Sequence, residues 1–101
     1  MAQVLTQEDI DRRLKDLDPA WSGSPQELRR KIEFADFPTA VRFIDEIAPR
    51  CEELDHHPDL RLVWRKVEIA LSTHSTGGVT EKDVQLAGVI DSAASALPLA
   101  G

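Results

Sequence analysis

The sequence predicts an α+β fold: a four-stranded antiparallel sheet, its first strand weak, with three helices packed on one face in the order α-β-β-α-β-β-α. Three observations carry this reading. Apolar residues recur at helical spacing from Phe37 to Leu54. Two alternating apolar runs face each other between residues 60 and 71. Two Thr-x-x-Asp starts, Thr6/Asp9 and Thr80/Asp83, announce a helix near each end of the chain.

The first of those starts leads into Ile10, Leu14 and Leu17, a short helix over 7–17 that the turn residues of "DPAWSGSP" bring to an end. Leu28, Ile32 and Phe34 then alternate as a strand with one wet face, Arg30 being the exception on the apolar side. The Ser- and Gly-rich segment before it supports only a weak strand. Asp36 is the expected N-cap of a helix over 37–54, whose stripe runs through Phe37, Ala40, Val41, Ile44, Ile47, Ala48, Cys51 and Leu54. Pro49 removes one backbone donor from it and bends its last turn.

Beyond Pro58, a tight turn at Arg65–Lys66 sets Trp64 opposite Val67, Leu62 opposite Ile69 and Leu60 opposite Leu71, every pair apolar. Extended outward, this register places His57 opposite His74. A flexible "TGG" precedes the last helix, which carries Val84, Ala87, Ile90, Ala94 and Leu97. Residues 1–101 read as a single domain, with 1–5 and 98–101 frayed.

Composition excludes several function classes. The chain carries a net charge of −6, against the dense basic surface that a nucleic-acid backbone requires. Two basic clusters, Arg29–Arg30–Lys31 and Arg61/Arg65/Lys66, read as solvated faces. No apolar run is long enough to span a membrane and the N-terminus has no secretory h-region, so a cytoplasmic protein is expected. The single cysteine, Cys51, allows no internal disulfide and falls on an apolar stripe, where packing is the expected role. Trp21 and Trp64 read as core aromatics.

The three histidines are the concentrated chemistry. His56 and His57 stand side by side before Pro58, and His74 meets them at the open end of the predicted hairpin, with Asp55 and Glu52 alongside. Imidazoles titrate near neutrality, so such a cluster suits proton transfer. Surface or capping histidines remain an alternative, and so does zinc held by the three histidines and a carboxylate. The usual zinc ligand spacings are absent. Ser72 and Ser75 sit in no nucleophile turn.

The stretch "EELDHHPDL…VWRKVEIALSTHSTGGVTEKDVQLAGVID" resembles the pterin-4a-carbinolamine dehydratases, also called 4a-hydroxytetrahydrobiopterin dehydratases, through Glu52, His56, His57, Pro58, Trp64, His74 and Asp83. Trp21, Leu28, Phe34, Asp36, Phe37, Ala40, Phe43 and Ala48 extend the resemblance more loosely, over roughly residues 10–95. It implies a hydro-lyase that expels water from 4a-hydroxytetrahydrobiopterin to give quinonoid dihydropterin, with no metal and no organic cofactor. His56 and His74 would be the main proton-transfer pair and His57 would orient the pterin. Asp55, Pro58, Ser72, Thr73 and Ser75 would contact the ring, Glu52 would set histidine charge, and Trp21 would flank the ring. Asp83 would cap the last helix and link it to His74. The implied partners are a small-molecule pterin and further copies of the chain, as a homodimer or homotetramer, with no direct nucleic-acid or membrane contact. Mammalian relatives also assist a transcription factor, which makes a protein-interaction module the alternative. The departures are a shortened stretch between Trp21 and Phe34, Pro49, and "LRLVWRKV", which alters the exposed face where copies would meet.

Overall fold

A computed structural model describes residues 3–101 of the chain. Its elements are α1 (Gln7–Leu14), β1 (Ser22–Gly23), β2 (Leu28–Glu33), α2 (Phe37–Leu54), β3 (Asp59–Val63), β4 (Lys66–Leu71) and α3 (Glu81–Ser95), the predicted order. All strand pairings are antiparallel and the sheet order is β1-β2-β4-β3, so β3 is an edge and β1 is a two-residue fragment on the other edge. Alternation places Leu28, Ile32, Val67, Ile69 and Leu71 on one face. They share a single core with Phe43, Ile47 and Cys51 of α2 and Leu86, Ala87 and Ile90 of α3. Phe34 and Phe43 stack at its centre with ring centroids 5.0 Å apart.

The helix starts follow from local chemistry. Thr6/Asp9 and Thr80/Asp83 both close reciprocal capping boxes, and the Asp36 side chain accepts from the Thr39 N–H. The Thr39 side chain, and after it this N–H, hold the Asp36 carboxyl below its ordinary range. Helix α1 stops at Leu14 rather than at residue 17, because the Asp16 and Leu17 N–H groups tighten onto Arg13 and Leu14 three residues back. Pro49 is accommodated inside α2, which runs unbroken to Leu54.

Arg30, the exception to the β2 alternation, is buried, with carboxylates at its terminal nitrogens and, among the described residues, no partner at its Nε. Its guanidinium lies 2.5 Å from the Asp91 carboxylate of α3 and 3.3 Å from Asp18. Asp91 also accepts from the Trp21 indole N–H at 2.7 Å and the Asp18 N–H at 2.9 Å. Helix α3, strand β2 and the loop carrying Trp21 therefore share one part-buried polar clasp.

The hairpin register differs from the predicted one by two residues. Leu62 pairs with Val67 and Leu60 with Ile69, around a two-residue turn at Trp64–Arg65 in which Trp64 takes a positive φ of 55°. A two-residue shift keeps every side chain on its face, so alternation is satisfied equally by both registers. The consequence falls on Trp64, which leaves the ladder and stands exposed with the Arg65 guanidinium 4.3 Å above its ring. It is not a core aromatic, and His57 is not the cross-strand partner of His74.

The "TGG" segment is ordered rather than flexible. Gly77 takes a φ of +85° and closes a turn onto Thr73. A Cβ on Gly78 would come within 2.5 Å of the Pro25 carbonyl, so the close approach requires glycine. Of the segments expected to fray, residues 1–2 lie outside the described ones, while the Leu5 N–H donates to Val79 O at 2.8 Å. The C-terminal segment is tied down too: Leu99 bridges Phe34, the Ala35 N–H donates to Pro98 O, and the Ala100 N–H donates to Glu33 O. Deleting residues 98–101 therefore lowers the unfolding free energy by about 1–3 kcal/mol, two backbone hydrogen bonds' worth. The urea midpoint measures it; an unshifted midpoint would mean that the tail contributes nothing.

Candidate functional site

Two chain reversals assemble the site. Helix α2 ends in a left-handed cap at Asp55 (φ 49°), and the His56 N–H returns to Cys51 O at 3.0 Å. That reversal throws His56 and His57 off the end of the helix. The second is the turn after β4, where the Thr73 N–H and Gly78 O close a loop at 2.9 Å that carries His74 and Ser75. Between them lies a cleft of about 330 Å³ lined by Asp55, His56, His57, Ser72, Thr73, His74, Ser75 and Lys82. The volume is at the small end of the range for ligand sites.

The buried floor is a network around Asp83, which has no solvent exposure. Its Oδ1 lies 2.5 Å from His56 Nε2; its Oδ2 accepts from the Thr73 hydroxyl and the Thr80 N–H, both at 2.8 Å. A carboxylate has no proton to give, so the imidazole Nε2–H is the donor. The Thr73 proton is committed to Asp83, so the Thr80 hydroxyl donates to Thr73 Oγ1 at 2.7 Å. Every hydroxyl proton of the network has a destination. The neutral His56 ring is then held as its Nε2–H tautomer, with the Nδ1 lone pair free to take a proton.

The other two rings belong to the rim. His57 Nε2 pairs with the exposed Glu52 carboxylate, and His74 Nε2 stands 3.8 Å from Asp59 Oδ2 with most of its side chain in solvent. One histidine is thus buried and pre-oriented, while two are free to exchange with water and a ligand. No three His, Cys, Asp or Glu side chains among the described residues are grouped as metal ligands. Burial, with the Glu52 charge second, pushes the Cys51 thiol above its ordinary value, the opposite of thiolate activation.

Most sequence-predicted site residues converge here: His56, His57, His74, Asp55, Ser72, Thr73 and Ser75 line the cleft, and Glu52 reaches it through His57. Asp83 serves it from beneath, but through His56 and not through His74 as expected. Pro58 is outside the lining. Trp21 is outside as well, because its indole is buried in the Arg30–Asp91 clasp. Asp91 lies eight residues beyond Asp83 on α3, so that clasp is about 12 Å along the helix from the site. Lys82 and Asp59 were not anticipated. A lysine in the first turn of a helix reads as a solvated side chain, and only the turn after β4 brings the cleft to it.

A family model described as "Pterin 4 alpha carbinolamine dehydratase" matches residues 3–93. A provisionally named pterin-4-alpha-carbinolamine dehydratase of Mycolicibacterium vanbaalenii is 44% identical over 88 residues, 87% of this chain and 94% of that one. One from Nocardia farcinica is 42% identical over 89 residues, 88% of this chain and 93% of that one. Among solved structures, a "transcriptional coactivator/pterin dehydratase" from Brucella melitensis superposes with a TM-score of 0.84 at 35% identity, covering 89% of this chain and 97% of that one. A pterin dehydratase-like protein identified as a RuBisCO assembly factor in the alpha-carboxysome gives a TM-score of 0.60 at 25% identity, over 73% of this chain and 86% of that one.

The Asp83 network makes a prediction that needs no substrate. Asp83→Ala strands the His56 Nε2–H, the Thr73 hydroxyl and the Thr80 N–H, and costs about 3–5 kcal/mol in urea unfolding. In the wild-type chain, ring ¹⁵N shifts show neutral His56 as the Nε2–H tautomer; Asp83→Asn, which keeps the shape, disturbs that signature. A wild-type ring found as the Nδ1–H tautomer contradicts the assignment.

Proposed function

The chain belongs to the pterin 4 alpha carbinolamine dehydratase family, and from that premise we propose that it is a hydro-lyase converting 4a-hydroxytetrahydropterin to quinonoid dihydropterin and water. The observation that carries the reading is the cleft itself: three imidazoles around a volume suited to one small heterocycle, one of them held by a buried carboxylate.

In this reaction the C4a–O bond breaks and a C4a=N5 double bond forms. A general acid protonates the hydroxyl so that it leaves as water, and a base takes the proton from N5. No proton or electron is gained or lost overall. His56 suits the base, since Asp83 occupies its Nε2–H and leaves Nδ1 to accept. His74, at the wet rim, suits the acid, because it recovers a proton from solvent after each turnover. His57, braced by Glu52, orients the ring; Asp55, Ser72, Thr73 and Ser75 supply polar contacts to the pterin edge. The site asks for no cofactor in this scheme.

The reading places the protein in the cytoplasm, in keeping with one unpaired, buried cysteine and with the absence of any membrane-crossing helix among the described residues. It also includes self-association as a homodimer or homotetramer, supported by the open edge of β3 and the exposed Leu60, Val63 and Trp64 along it. The coactivator half of the Brucella protein's description supports a second reading, a protein-interaction module on the same scaffold.

Stopped-flow absorbance of enzymatically generated 4a-hydroxytetrahydropterin separates the two. The purified chain accelerates the decay, and His56→Ala or His74→Ala lowers kcat by about 10²–10⁴-fold. His57→Ala raises KM more than it lowers kcat. Decay at the buffer rate in the presence of the wild-type protein leaves only the interaction reading. Activity persists after EDTA dialysis; its loss there, with recovery on added zinc, returns the histidines to metal binding.

A further inference from the structure

Arg29, Lys31 and Arg61, drawn from the two basic clusters of the sequence, share the open face of the sheet. In the row Ser22–Arg29–Ala70–Asp59 the short Ala70 side chain leaves a hollow between long neighbours; the adjacent row is Lys31–Glu68–Arg61. The result is a groove of about 540 Å³, bordered by Arg29, Lys31, Arg61, Asp59 and Glu68. Glu68 is engaged by Arg61 at 3.2 Å and Arg29 by Glu27 at 3.3 Å, while Lys31 has no ion pair among the described residues. On a chain of net charge −6, three cations gather around one hollow beside the two carboxylates Asp59 and Glu68, and Lys31 is the one without an ion pair among the described residues.

The groove adjoins the histidine cleft through one carboxylate. Asp59 borders it, and the same carboxylate stands 3.8 Å from His74 Nε2. Arg61 lies two residues farther along β3, about 7 Å away. A three-carbon side chain ending in a phosphate, starting beside Asp59, covers about that step along β3.

We propose that the groove is a subsite for the side chain of the substrate, and that this side chain is polyhydroxylated and ends in a phosphomonoester. The inference rests on the dehydratase reading and specifies its substrate class. Asp59, an acceptor only, takes hydrogen bonds from side-chain hydroxyls near the ring. Lys31, Arg61 and Arg29 hold the terminal group, whose charge of about −1.5 to −2 matches several cations better than a single carboxylate does. Ala70 supplies room for it.

The test is calorimetric titration, at low ionic strength, of two 7,8-dihydropterins with the same trihydroxypropyl side chain, one of them phosphorylated at its end. The wild-type chain binds the phosphate ester about tenfold more tightly, the sum of two or three exposed ion pairs. The surface double variant Lys31→Gln/Arg61→Gln binds the two alike. Equal wild-type affinities overturn the subsite and leave the pterin cleft standing. A preference that survives in the double variant, and disappears in Lys82→Gln, overturns it by placing the anion at α3. Failure of both pterins to bind overturns the dehydratase reading, and the subsite with it.

Discussion

A carboxylate with no solvent exposure dictates the arrangement of this site. Removing Asp83 from water is tolerable only if its lone pairs are filled, and the chain fills them from three separate places: the start of α3, the turn after β4, and the segment beyond α2. The same demand that satisfies the charge therefore brings His56 and the His74 loop to one point. Folding and site assembly are one constraint here. Nothing in it acts at a distance; each link is a direct hydrogen bond between named atoms.

The reversals at either side of that carboxylate are local and inexpensive. Asp55 tolerates the left-handed cap better than most residues because its short side chain can bond nearby backbone. Gly77 and Gly78 meet two different needs, a positive φ and a close backbone approach. What they achieve together is a division of labour among chemically identical rings. His56 is fixed and nearly dry, whereas His57 and His74 remain in water. A single small cleft thus holds one fixed, nearly dry imidazole and two solvated ones without any exotic residue.

Much of this was legible in the sequence because it is local. The bounds of α2, the Asp36 cap and both Thr-x-x-Asp capping boxes were correct, since each depends on side chains within four residues of the backbone they satisfy. Long-range facts fared worse, for identifiable reasons. Alternation has period two, so it could not separate the predicted register from the observed one, and Trp64 was misplaced as a result. The Arg30 irregularity was visible, but its explanation, Asp91, lies 61 residues away. Trp21 was assigned to the pterin by resemblance, yet its polar N–H follows the same distant carboxylate. The tail after Leu97 carries no periodic signal, because its contribution is backbone pairing with Phe34 and its neighbours.

Helix α3 carries both of these carboxylates, and their partners separate chemistry from architecture. Asp91 binds Arg30, and a guanidinium has donors only and no lone pair to accept a proton, so that pair holds shape. Asp83 binds His56, whose neutral ring still has a second nitrogen to offer after the first is committed. Both arrangements set a carboxylate against a donor at 2.5 Å, fully buried at Asp83 and partly exposed at Asp91. Only the histidine can pass a proton on. Exchanging the two donors would leave a fold with the same number of buried ion pairs and no proton acceptor beneath the cleft. The two carboxylates of α3 therefore serve different ends, Asp91 as a partly exposed clasp and Asp83 as the buried support beneath the histidine cleft.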